Sequence, residues 1–282
     1  SFVSKFTPSG TGLVYSTYIG GDGGTDVSTG IAVDGLGNAF LTGFTSSKDF
    51  PTTDGSKVKN LDAGSDAFVI KLKPDGTGFV YSTLIGGRND DFSNSIVINP
   101  AGEAVFCGYT AIINSKSDFP ITTGAFQTTA AGGALDGYVM KLDASGKMLY
   151  STLLGGDGDD YVRSVTMDVL GAIYCTGETI SQNLTFPTTP QAIQRAHQGS
   201  FDCFVTKFSP RLDTLLYSTI LGGQGDKTGD DRGTSIAVDL GGFAYVTGFT
   251  SSSLFLTTAT PLAYDTTFNG NYDAFVLKLN QN

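Results

Sequence analysis

The segment GGDGDDYVR, residues 155–163, is the part of the sequence whose residue types are best suited to binding a metal ion. Calcium prefers about six to eight oxygen ligands, which clustered carboxylates and the carbonyl groups of glycine-rich turns can supply. The segment fits the GGxGxDxUx pattern of calcium-binding repeats. Acidic loops recur at three further places, so the candidate calcium ligands are Asp22, Asp26, Asp90, Asp91, Asp157, Asp159, Asp160, Asp226, Asp230 and Asp231.

The spacing of these loops differs from the usual arrangement of that motif. Calcium-binding repeats of this pattern are nonapeptides that stack on one another, so that each ion shares ligands from adjacent turns. Here the acidic loops lie about 70 residues apart, and one loop with its spatial neighbours would have to hold the ion. Calcium binding and solvated turn carboxylates therefore both stay open, and the spacing favours the second.

Composition and charge exclude several classes of partner. The 282 residues include 27 acidic and 17 basic side chains, and the net charge of −10 repels phosphate backbones and anionic lipids. We therefore expect no nucleic-acid partner. The apolar runs have the length of strands, far short of the ~20 residues that a membrane-spanning helix requires, so we expect no direct membrane insertion.

Residues for catalysis or for other metal chemistry are scarce. The single histidine, His197, lies outside the repeated segments and has no nucleophile motif around it. Cys107, Cys175 and Cys203 show no CxxC spacing, which disfavours zinc and favours buried thiols. The sequence therefore predicts a protein that is not an enzyme and has no cofactor other than calcium, if the acidic loops bind it.

Four segments recur in the same order and define the organisation of the chain. The tyrosines of the first segment, Tyr15, Tyr81, Tyr150 and Tyr217, are separated by 66, 69 and 67 residues. The first segment reads LVYSTYIGG, FVYSTLIGG, MLYSTLLGG and LLYSTILGG, and the second reads GIAVD, SIVIN, SVTMD and SIAVD. The third reads AFLTGFT, AVFCGYT, IYCTGET and AYVTGFT, and the fourth occurs five times, as FVSKF, AFVIKL, YVMKL, CFVTKF and AFVLKL.

Each segment is short, rich in β-branched and aromatic residues, and bounded by Gly, Asp or Asn, which is typical of a β-strand. Turn signals such as GLGN after Asp34 and PDG at 74–76 separate neighbouring segments. One period therefore predicts a four-stranded antiparallel meander. Such a sheet cannot bury both faces alone, so the copies must pack face to face, as the blades of a propeller do.

The positions of repeated tyrosines, lysines and phenylalanines within and beside these strands can also be predicted. The four tyrosines are expected in the core, with stacking on sugars as the alternative. The lysines of the fourth segment are expected at exposed or edge positions, with a ring of cations on one rim as the alternative. The phenylalanines that follow the third segment are expected to be buried anchors for the connecting loops. These lysines and phenylalanines are Lys5, Lys71, Lys141, Lys207 and Lys278, and Phe50, Phe119, Phe186 and Phe255.

The phrases YSTYIGGDGGTD, GIAVDGLGNAFLTGFTSSKDFPTT and SDAFVIKLKPDGTGFVYSTLIGG resemble the bacterial β-propeller repeat family known as SBBP, over essentially the whole chain. The resemblance implies propeller blades in a large exported or cell-surface protein, and it implies no catalytic residues. The chain departs from the pattern at RNDDFSNSIVINPAGEA and LFLTTATPLAY. We therefore predict one β-propeller domain over 1–282, with repeats at about 1–66, 67–136, 137–202 and 203–273 and a final strand at 274–282.

The fifth copy of the fourth segment leaves the closure of this propeller open. We expect four blades, closed as a ring by mixing N-terminal and C-terminal strands. The alternatives are five blades with one incomplete, or a segment of a longer repeat array. A surplus strand could also stay at an exposed edge or pair with another chain.

The function expected from these observations is that of a structural or protein-interaction module. It would be exported or displayed at the cell surface, would have no enzymatic activity, and would join a larger surface assembly through a protein partner. The alternative is a carbohydrate-binding propeller with one shallow glycan site per blade.

Overall fold

The computed structural model describes residues 1–53, 64–114, 116–182, 184–223, 228–257 and 263–280. Its regular structure consists of 17 strands. The described residues contain no helix long and apolar enough to cross a membrane. The strands form five antiparallel sheets, of which three have four strands.

The sheets follow one another along the chain, and we number them in that order. Sheet 1 contains β1 (Phe2–Phe6) and β2 (Leu13–Tyr18). Sheet 2 contains β3 (Asp26–Val33), β4 (Ala39–Thr45), β5 (Asp66–Leu72) and β6 (Phe79–Ile85). Sheet 3 contains β7 (Asp91–Ile98), β8 (Ala104–Ala111), β9 (Leu135–Leu142) and β10 (Met148–Leu154). Sheet 4 contains β11 (Asp160–Met167), β12 (Ile173–Thr179), β13 (Asp202–Phe208) and β14 (Leu215–Leu221), and sheet 5 contains β15 (Asp231–Val238), β16 (Ala244–Thr250) and β17 (Asp273–Leu279).

The predicted four-stranded meander is confirmed in sheets 2, 3 and 4, where each strand pairs antiparallel with the next. Each sheet begins with the second sequence segment and ends with the YST segment. The sheets are therefore offset from the predicted repeats, since the boundary at 66/67 falls at the start of β5, inside sheet 2. The YST strand completes one sheet and leads directly into the first strand of the next.

The predicted ring closure is not observed in the described residues. Strands β1 and β2 form a sheet of their own, whereas closure would have paired β1 with β16. The physical reason is that β17 already occupies that place, in register with β16 from Asp273 to Leu279. The fourth segment therefore forms a strand in both the first and the last sheet, and the described residues form five sheets, with two strands in the first and three in the last.

Successive sheets pack through their first strands. The hydroxyl of Thr29 in β3 donates to the carbonyl oxygen of Ser93 in β7 at 2.6 Å, and the Asn94 side-chain amide donates to the carbonyl oxygen of Val162 in β11 at 2.8 Å. Hydrophobic clusters fill the space between the sheets. This is the packing of propeller blades.

A β-bulge recurs in each first strand and explains the glycine of the third segment. The register of the first two strands shifts at Thr29, Asn94, Arg163 and Thr234 in sheets 2 to 5. The bulge brings the carbonyl oxygen of Tyr161 so close to Gly177 that a Cβ there would overlap it. Gly43, Gly108 and Gly248 meet the equivalent carbonyl oxygens in the other sheets.

The phenylalanines expected to anchor the connecting loops do so. Phe50, Phe119 and Phe186 are buried, and Phe255 packs against the cluster of sheet 5. Each ring lies on an aromatic ring of the third strand in its sheet, with centroids 4.1 to 4.8 Å apart. Of the four tyrosines of the YST strands, Tyr81 is buried and the others are half-buried, which confirms their predicted place in the core.

The expectation that the lysines of the fourth segment are exposed is wrong for Lys71 and Lys141, which are 8% and 7% exposed. Lys141 Nζ lies 2.6 Å from Glu103 Oε2. The pairs Lys71 with Asp34, Lys207 with Asp168 and Lys278 with Asp239 occupy the same place in other sheets. The partner carboxylate precedes the neighbouring second strand, so only the folded sheet brings the charges together.

Candidate functional site

The aspartates that open the first strand of each complete sheet and of sheet 5 hold the preceding Gly-Gly turn in place. Asp160 Oδ2 accepts the backbone N–H of Gly156 at 2.7 Å and the hydroxyl of Ser181 at 2.8 Å. The same backbone bond joins Gly21 to Asp26, Gly87 to Asp91 and Gly223 to Asp231, at 3.0, 2.8 and 2.8 Å. These four predicted calcium ligands therefore accept hydrogen bonds that hold the turns in place.

The remaining predicted ligands bind separate groups. Asp90 Oδ1 accepts the backbone N–H of Ser65, and Asp159 Oδ1 accepts that of Ala134, at 2.8 and 2.7 Å. Asp157 Oδ1 accepts the backbone N–H of Gln182 and the hydroxyl of Thr185, both at 2.7 Å. The carboxylate of Asp230 pairs with Arg232 at 2.9 Å, the side chain of Asp22 is exposed, and Asp226 lies outside the described residues.

The acidic loops as described do not converge on a metal position. The described ranges contain no group of three or more His, Cys, Asp or Glu side chains placed to hold a metal ion. Adjacent aspartates such as Asp159 and Asp160 accept hydrogen bonds from different segments of the chain. The described loops therefore lack the converging ligands of a calcium site. The dependence of melting on calcium is the measurement that tests whether the ion binds.

A second group of aspartates, those that open the third strands, brings carboxylates together in pairs. A Cβ at Gly86 would lie 2.5 Å from Asp66 Oδ1 and 2.5 Å from Asp91 Oδ2, so these carboxylates lie within about 5 Å of each other. A Cβ at Gly155 would likewise lie less than 3 Å from carboxylate oxygens of both Asp136 and Asp160. Gly86 and Gly155, the first glycines of two Gly-Gly turns, thus each lie against a carboxylate pair, and a side chain at either position would collide with it.

Burial shifts the protonation of these pairs. Asp136 and Asp160 are fully buried, and burial raises the pKa of each to about 7. Burial, together with a nearby aspartate, likewise raises the pKa of Asp91 and of Asp202 to about 7. Such values are typical of catalytic acids. However, these carboxyls are sealed from solvent beneath the Gly-Gly turns, so a substrate cannot reach them.

An aromatic belt runs across sheets 2 to 4 beside the bulges. We define it as Phe44, Phe92, Tyr109, Tyr161 and Phe201, whose successive ring centroids are 4.8, 5.0, 4.9 and 6.1 Å apart. All five rings are half-buried. Each side chain comes from the second residue of a first strand, the facing residue of a second strand or, for Phe201, the loop before β13.

Two arginines and a buried glutamate lie against this belt. The Arg163 side chain, which the bulge of β11 points toward β12, donates from Nε to Glu178 Oε1 at 2.9 Å. Its guanidinium lies 4.6 Å from the Tyr161 ring centroid, and that of Arg232 lies 4.1 Å from the Phe201 centroid. Glu178 is 1% exposed and also lies 3.7 Å from Arg232. Burial disfavours the charge on Arg163, but Glu178 outweighs it and raises the pKa of the guanidinium.

The remaining candidates for catalysis or metal binding, the histidine and the three cysteines, have structural roles. His197 lies in the loop before β13, where a ring nitrogen contacts the carbonyl oxygen of Ser200 at 3.1 Å, and burial lowers its pKa. Cys107, Cys175 and Cys203 are free and fully buried, as predicted. Burial raises the pKa of all three thiols, which keeps them protonated and unreactive.

The outward faces of sheets 1 and 5 expose apolar side chains. We define the N-terminal face as Phe2, Phe6 and Tyr18 of sheet 1, which are 68%, 62% and 91% exposed. We define the C-terminal face as the side of sheet 5 that carries Val276, which is 73% exposed. Apolar side chains at the equivalent positions of the inner sheets are buried between sheets.

Sequence reasoning missed the carboxylate pairs and the aromatic belt. Asp136 and Asp160 are far apart in sequence, and only the recurrence of Asp before each FV strand, next to the recurrence of Gly-Gly, could have indicated the pairing. The belt lacks a repeated signal, because its positions read Phe, Tyr, Glu and Phe in the four second strands. Its members are recognised only when the bulge register is known.

Comparison with family models matches three segments of the chain, 14–51, 149–185 and 216–255, to SBBP, described as a beta-propeller repeat. No curated protein matches the chain. Among solved structures, the crystal structure of BamB from Moraxella catarrhalis is similar at 13% identity and a TM-score of 0.31. That alignment covers 87% of this chain and 66% of the other, just under two thirds of its length, and we base no argument on it.

The chain is therefore an all-β protein of the β-propeller class. The repeats that build it are of the SBBP type at the three matched segments, which confirms the resemblance there. Each matched segment begins in a YST strand and ends near the anchoring phenylalanine of the following sheet. The unmatched second copy contains RNDDFSNSIVINPAGEA, one of the places where the chain departs from the pattern.

Proposed function

We propose that the chain is a non-enzymatic propeller module, exported or displayed at the cell surface, that joins a larger assembly through protein–protein contacts. The observation that carries this proposal is the β-propeller architecture, in which packed antiparallel sheets present rigid surfaces. Exposed apolar side chains can form interaction sites, and Phe2, Tyr18 and Val276 are such side chains on sheets 1 and 5. The sheets hold these side chains in place, which lowers the entropic cost of binding.

The absence of enzymatic activity belongs to the proposal and has its own support. The carboxyl groups with a pKa near 7, such as Asp160 and Asp136, are buried beneath glycine turns. His197 contacts a backbone oxygen in its own loop. Catalysis requires an acid or base within hydrogen-bonding reach of the substrate, and these groups are better explained as structural.

The exported or surface location is supported by the resemblance of the repeats to bacterial surface proteins. Exposure of the folded chain on intact source cells is the measurement that tests it. A protease added outside the cells should cleave the protein while a cytoplasmic marker stays intact. Protection of both would contradict the proposed location.

The interaction role is tested by crosslinking and affinity purification of the tagged chain from its source cells. Wild type is compared with Val276→Asp, which places a charge on the C-terminal face, and with Leu170→Asp as control. Leu170 is 84% exposed in a turn away from both faces. The proposal predicts a crosslinked protein that is lost with Val276→Asp, or with Tyr18→Asp, and retained with Leu170→Asp. Equal recovery in all forms would contradict a role for the end faces.

A carbohydrate-binding function is the second candidate, and the aromatic belt favours it. Half-buried tyrosine and phenylalanine rings beside arginines offer both stacking surfaces and hydrogen-bond donors. A glycan panel should then raise the melting temperature of wild type and of Val276→Asp but not of Tyr161→Ala. No glycan-dependent shift is expected if the chain is solely a protein-interaction module.

A further inference from the structure

The turn between the first two strands of sheet 3 carries a set of side chains that differs from those of the other sheets. In sheets 2, 4 and 5 this turn begins with the aspartate that pairs with the lysine of the third strand. In sheet 3 the turn begins with Asn99 and ends with Glu103, and Glu103 pairs with Lys141 instead. The turn lies within RNDDFSNSIVINPAGEA, where the chain departs from the repeat pattern.

One carboxylate oxygen in this turn joins an amine to an amide. Lys141 Nζ lies 2.6 Å from Glu103 Oε2, and Asn99 Nδ2 donates to the same oxygen at 2.7 Å. Asn99 Oδ1 accepts the backbone N–H groups of Ala101 and Glu103, both at 3.0 Å. Lys141 is 7% exposed, and the side chains of Asn99 and Glu103 are half-buried.

These contacts bring together the groups that the attack of an amine on an amide requires. A lysine amine is a nucleophile once it has lost a proton, and a carboxylate within hydrogen-bonding distance can accept that proton. Two N–H donors on a carbonyl oxygen stabilise the negative charge that develops there when the carbon is attacked. Holding the groups in one place lowers the barrier further, because the reaction is intramolecular.

We propose that Lys141 and Asn99 form an isopeptide bond in the folded chain, with Glu103 as the proton carrier and ammonia as the leaving group. The bond would form once per chain and is a modification, not a turnover activity. The proposal goes beyond the proposed interaction function and does not depend on it.

The reaction balances without an oxidant or a co-reactant. The hydrogen bond from Lys141 lowers the pKa of Glu103, so the resting pair is ionised. The ammonium first gives a proton to Glu103 Oε2, and the neutral Nζ attacks Asn99 Cγ. Glu103 then passes this proton to Nδ2, the bond between Cγ and Nδ2 breaks, and ammonia leaves. The ammonia takes the second proton that Nζ loses, so the products are an amide and an ammonium ion.

Sheet 2 holds the same kinds of side chain in an arrangement that should not react. Asn38 Nδ2 donates to Asp34 Oδ2 at 2.7 Å, and Lys71 Nζ lies 3.7 Å from that oxygen. The backbone N–H groups of Leu36 and Asn38 donate to Asp34 Oδ1, at 3.0 and 2.8 Å. The two turn donors are thus directed to the carboxylate in sheet 2 and to the amide in sheet 3, which makes Lys71 a matched control.

The bond would brace sheet 3 along its edge of turns. It would connect the turn after β7 to β9 across β8 and close a loop of about 40 residues, which restricts the unfolded chain as a disulfide does. Cys107, Cys175 and Cys203 are free. The isopeptide bond would therefore supply the covalent constraint that these thiols do not.

The experiment is the mass of the intact purified chain, followed by peptide mapping. Wild type should be lighter than its sequence by about 17 Da, the mass of the released ammonia. A digest should contain a branched peptide that joins the Asn99 segment to the Lys141 segment. Lys71→Arg should keep both the mass loss and the branched peptide.

Two variants at the site should each have the full mass of their sequences. Lys141→Arg keeps a positive charge beside Glu103, but a guanidinium stays protonated and does not attack the amide. Glu103→Gln keeps a hydrogen-bonding side chain but cannot accept the proton. Far-UV circular dichroism verifies that each variant is folded.

The wild-type mass decides the matter even if a variant fails to fold. Folded wild type at full mass, with no branched peptide after prolonged incubation, overturns the proposal. A loss of about 17 Da that persists in Lys141→Arg also overturns it, because another asparagine, such as Asn269 before Gly270, would then have lost ammonia. A branched peptide that still forms in Glu103→Gln overturns the role of Glu103 as proton carrier.

Discussion

At the scale of single residues, the buried aspartates are the feature that most distinguishes this chain from an ordinary acidic surface protein. The net charge of −10 suggests solvated carboxylates, yet Asp91, Asp136, Asp160 and Asp202 are buried where like charges meet. A carboxyl group in such a place is stable when protonated. The stability of the fold should therefore depend on pH in an unusual direction.

Stability should fall as the pH rises from about 4 to about 7. In this window the folded chain binds more protons than the unfolded chain, because burial raises the pKa of these carboxyls to about 7. The free energy of unfolding should fall by about 1.4 kcal/mol per pH unit for each extra proton bound. Urea unfolding at pH 5, 6, 7 and 8 measures this slope.

The variant Asp136→Asn identifies the source of the slope. An amide carries no charge and can keep the acceptor that binds the backbone N–H of Ala131, and it removes the repulsion felt by Asp160. The difference in unfolding free energy between pH 5 and pH 8 should be smaller in this variant than in wild type. An unchanged difference would mean that other groups control the pH dependence.

Calcium should leave the melting temperature unchanged. A tightly bound ion stabilises the folded state by mass action, but the carboxylates of Asp157, Asp159 and Asp160 already accept hydrogen bonds from separate segments. The measurement compares melting in excess chelator with melting in millimolar calcium, with magnesium as the ionic-strength control. A rise in melting temperature specific to calcium would restore the acidic loops as a metal site.

At the scale of strands and sheets, the recurring bulge is the element that shapes each blade. It places an extra residue in the first strand, and the side chain of that residue then contacts the following sheet or, as in Arg163, the neighbouring second strand. The second strand accommodates the displaced carbonyl only with a glycine, such as Gly177 opposite Tyr161. The glycine is therefore a requirement of the backbone.

The variant Gly177→Ala should lower the free energy of unfolding by roughly 2–4 kcal/mol, because its Cβ would overlap the carbonyl oxygen of Tyr161 and force the strands apart. Gly35→Ala is the matched control, since nothing lies within 4 Å of its Cβ position. The control should change stability by less than about 0.5 kcal/mol. Equal effects in urea unfolding would refute the role assigned to the bulge.

Much of the element structure followed from the sequence, for identifiable reasons. Strand identity and the anchoring role of Phe186 were predictable because each depends on residue type and local repetition. The burial of Lys141 was not, since it depends on Glu103, which precedes the neighbouring strand β8. The Asp136–Asp160 pair and the aromatic belt were missed because they join residues that are far apart in sequence. Strand periodicity does not show which distant residues come into contact.

At the scale of the whole molecule, the sheets form a row in which each one contacts its neighbours. Strands β3, β7, β11 and β15 pack in succession, and the hydrophobic clusters lie between adjacent sheets. In such architectures the free energy of unfolding is approximately the sum of the stability of each repeat and of its interfaces with the neighbouring repeats. Sheets 1 and 5 each pack against one other sheet among the described residues, so in the chain of 282 residues they should open more readily than sheets 2 to 4.

Hydrogen exchange should show this gradient. Backbone amides of β1, β2 and β17 should exchange faster than those of β8, β9 and β12, because local opening of an end sheet exposes less apolar surface. The measurement is exchange mass spectrometry of the purified 282-residue chain. Protection of β17 equal to that of β9 would contradict the predicted gradient.

The offset between the sequence period and the sheets has a consequence for how such genes can change in length. A sequence period cuts each blade in the middle, since it starts at β5, β9 or β13 and ends inside the next sheet. Recombination that duplicates or deletes one period would join a half-blade to an equivalent half-blade. The product gains or loses one whole blade, and every contact between neighbouring sheets stays of the same kind. Copy number can then drift without disrupting the packing of the sheets.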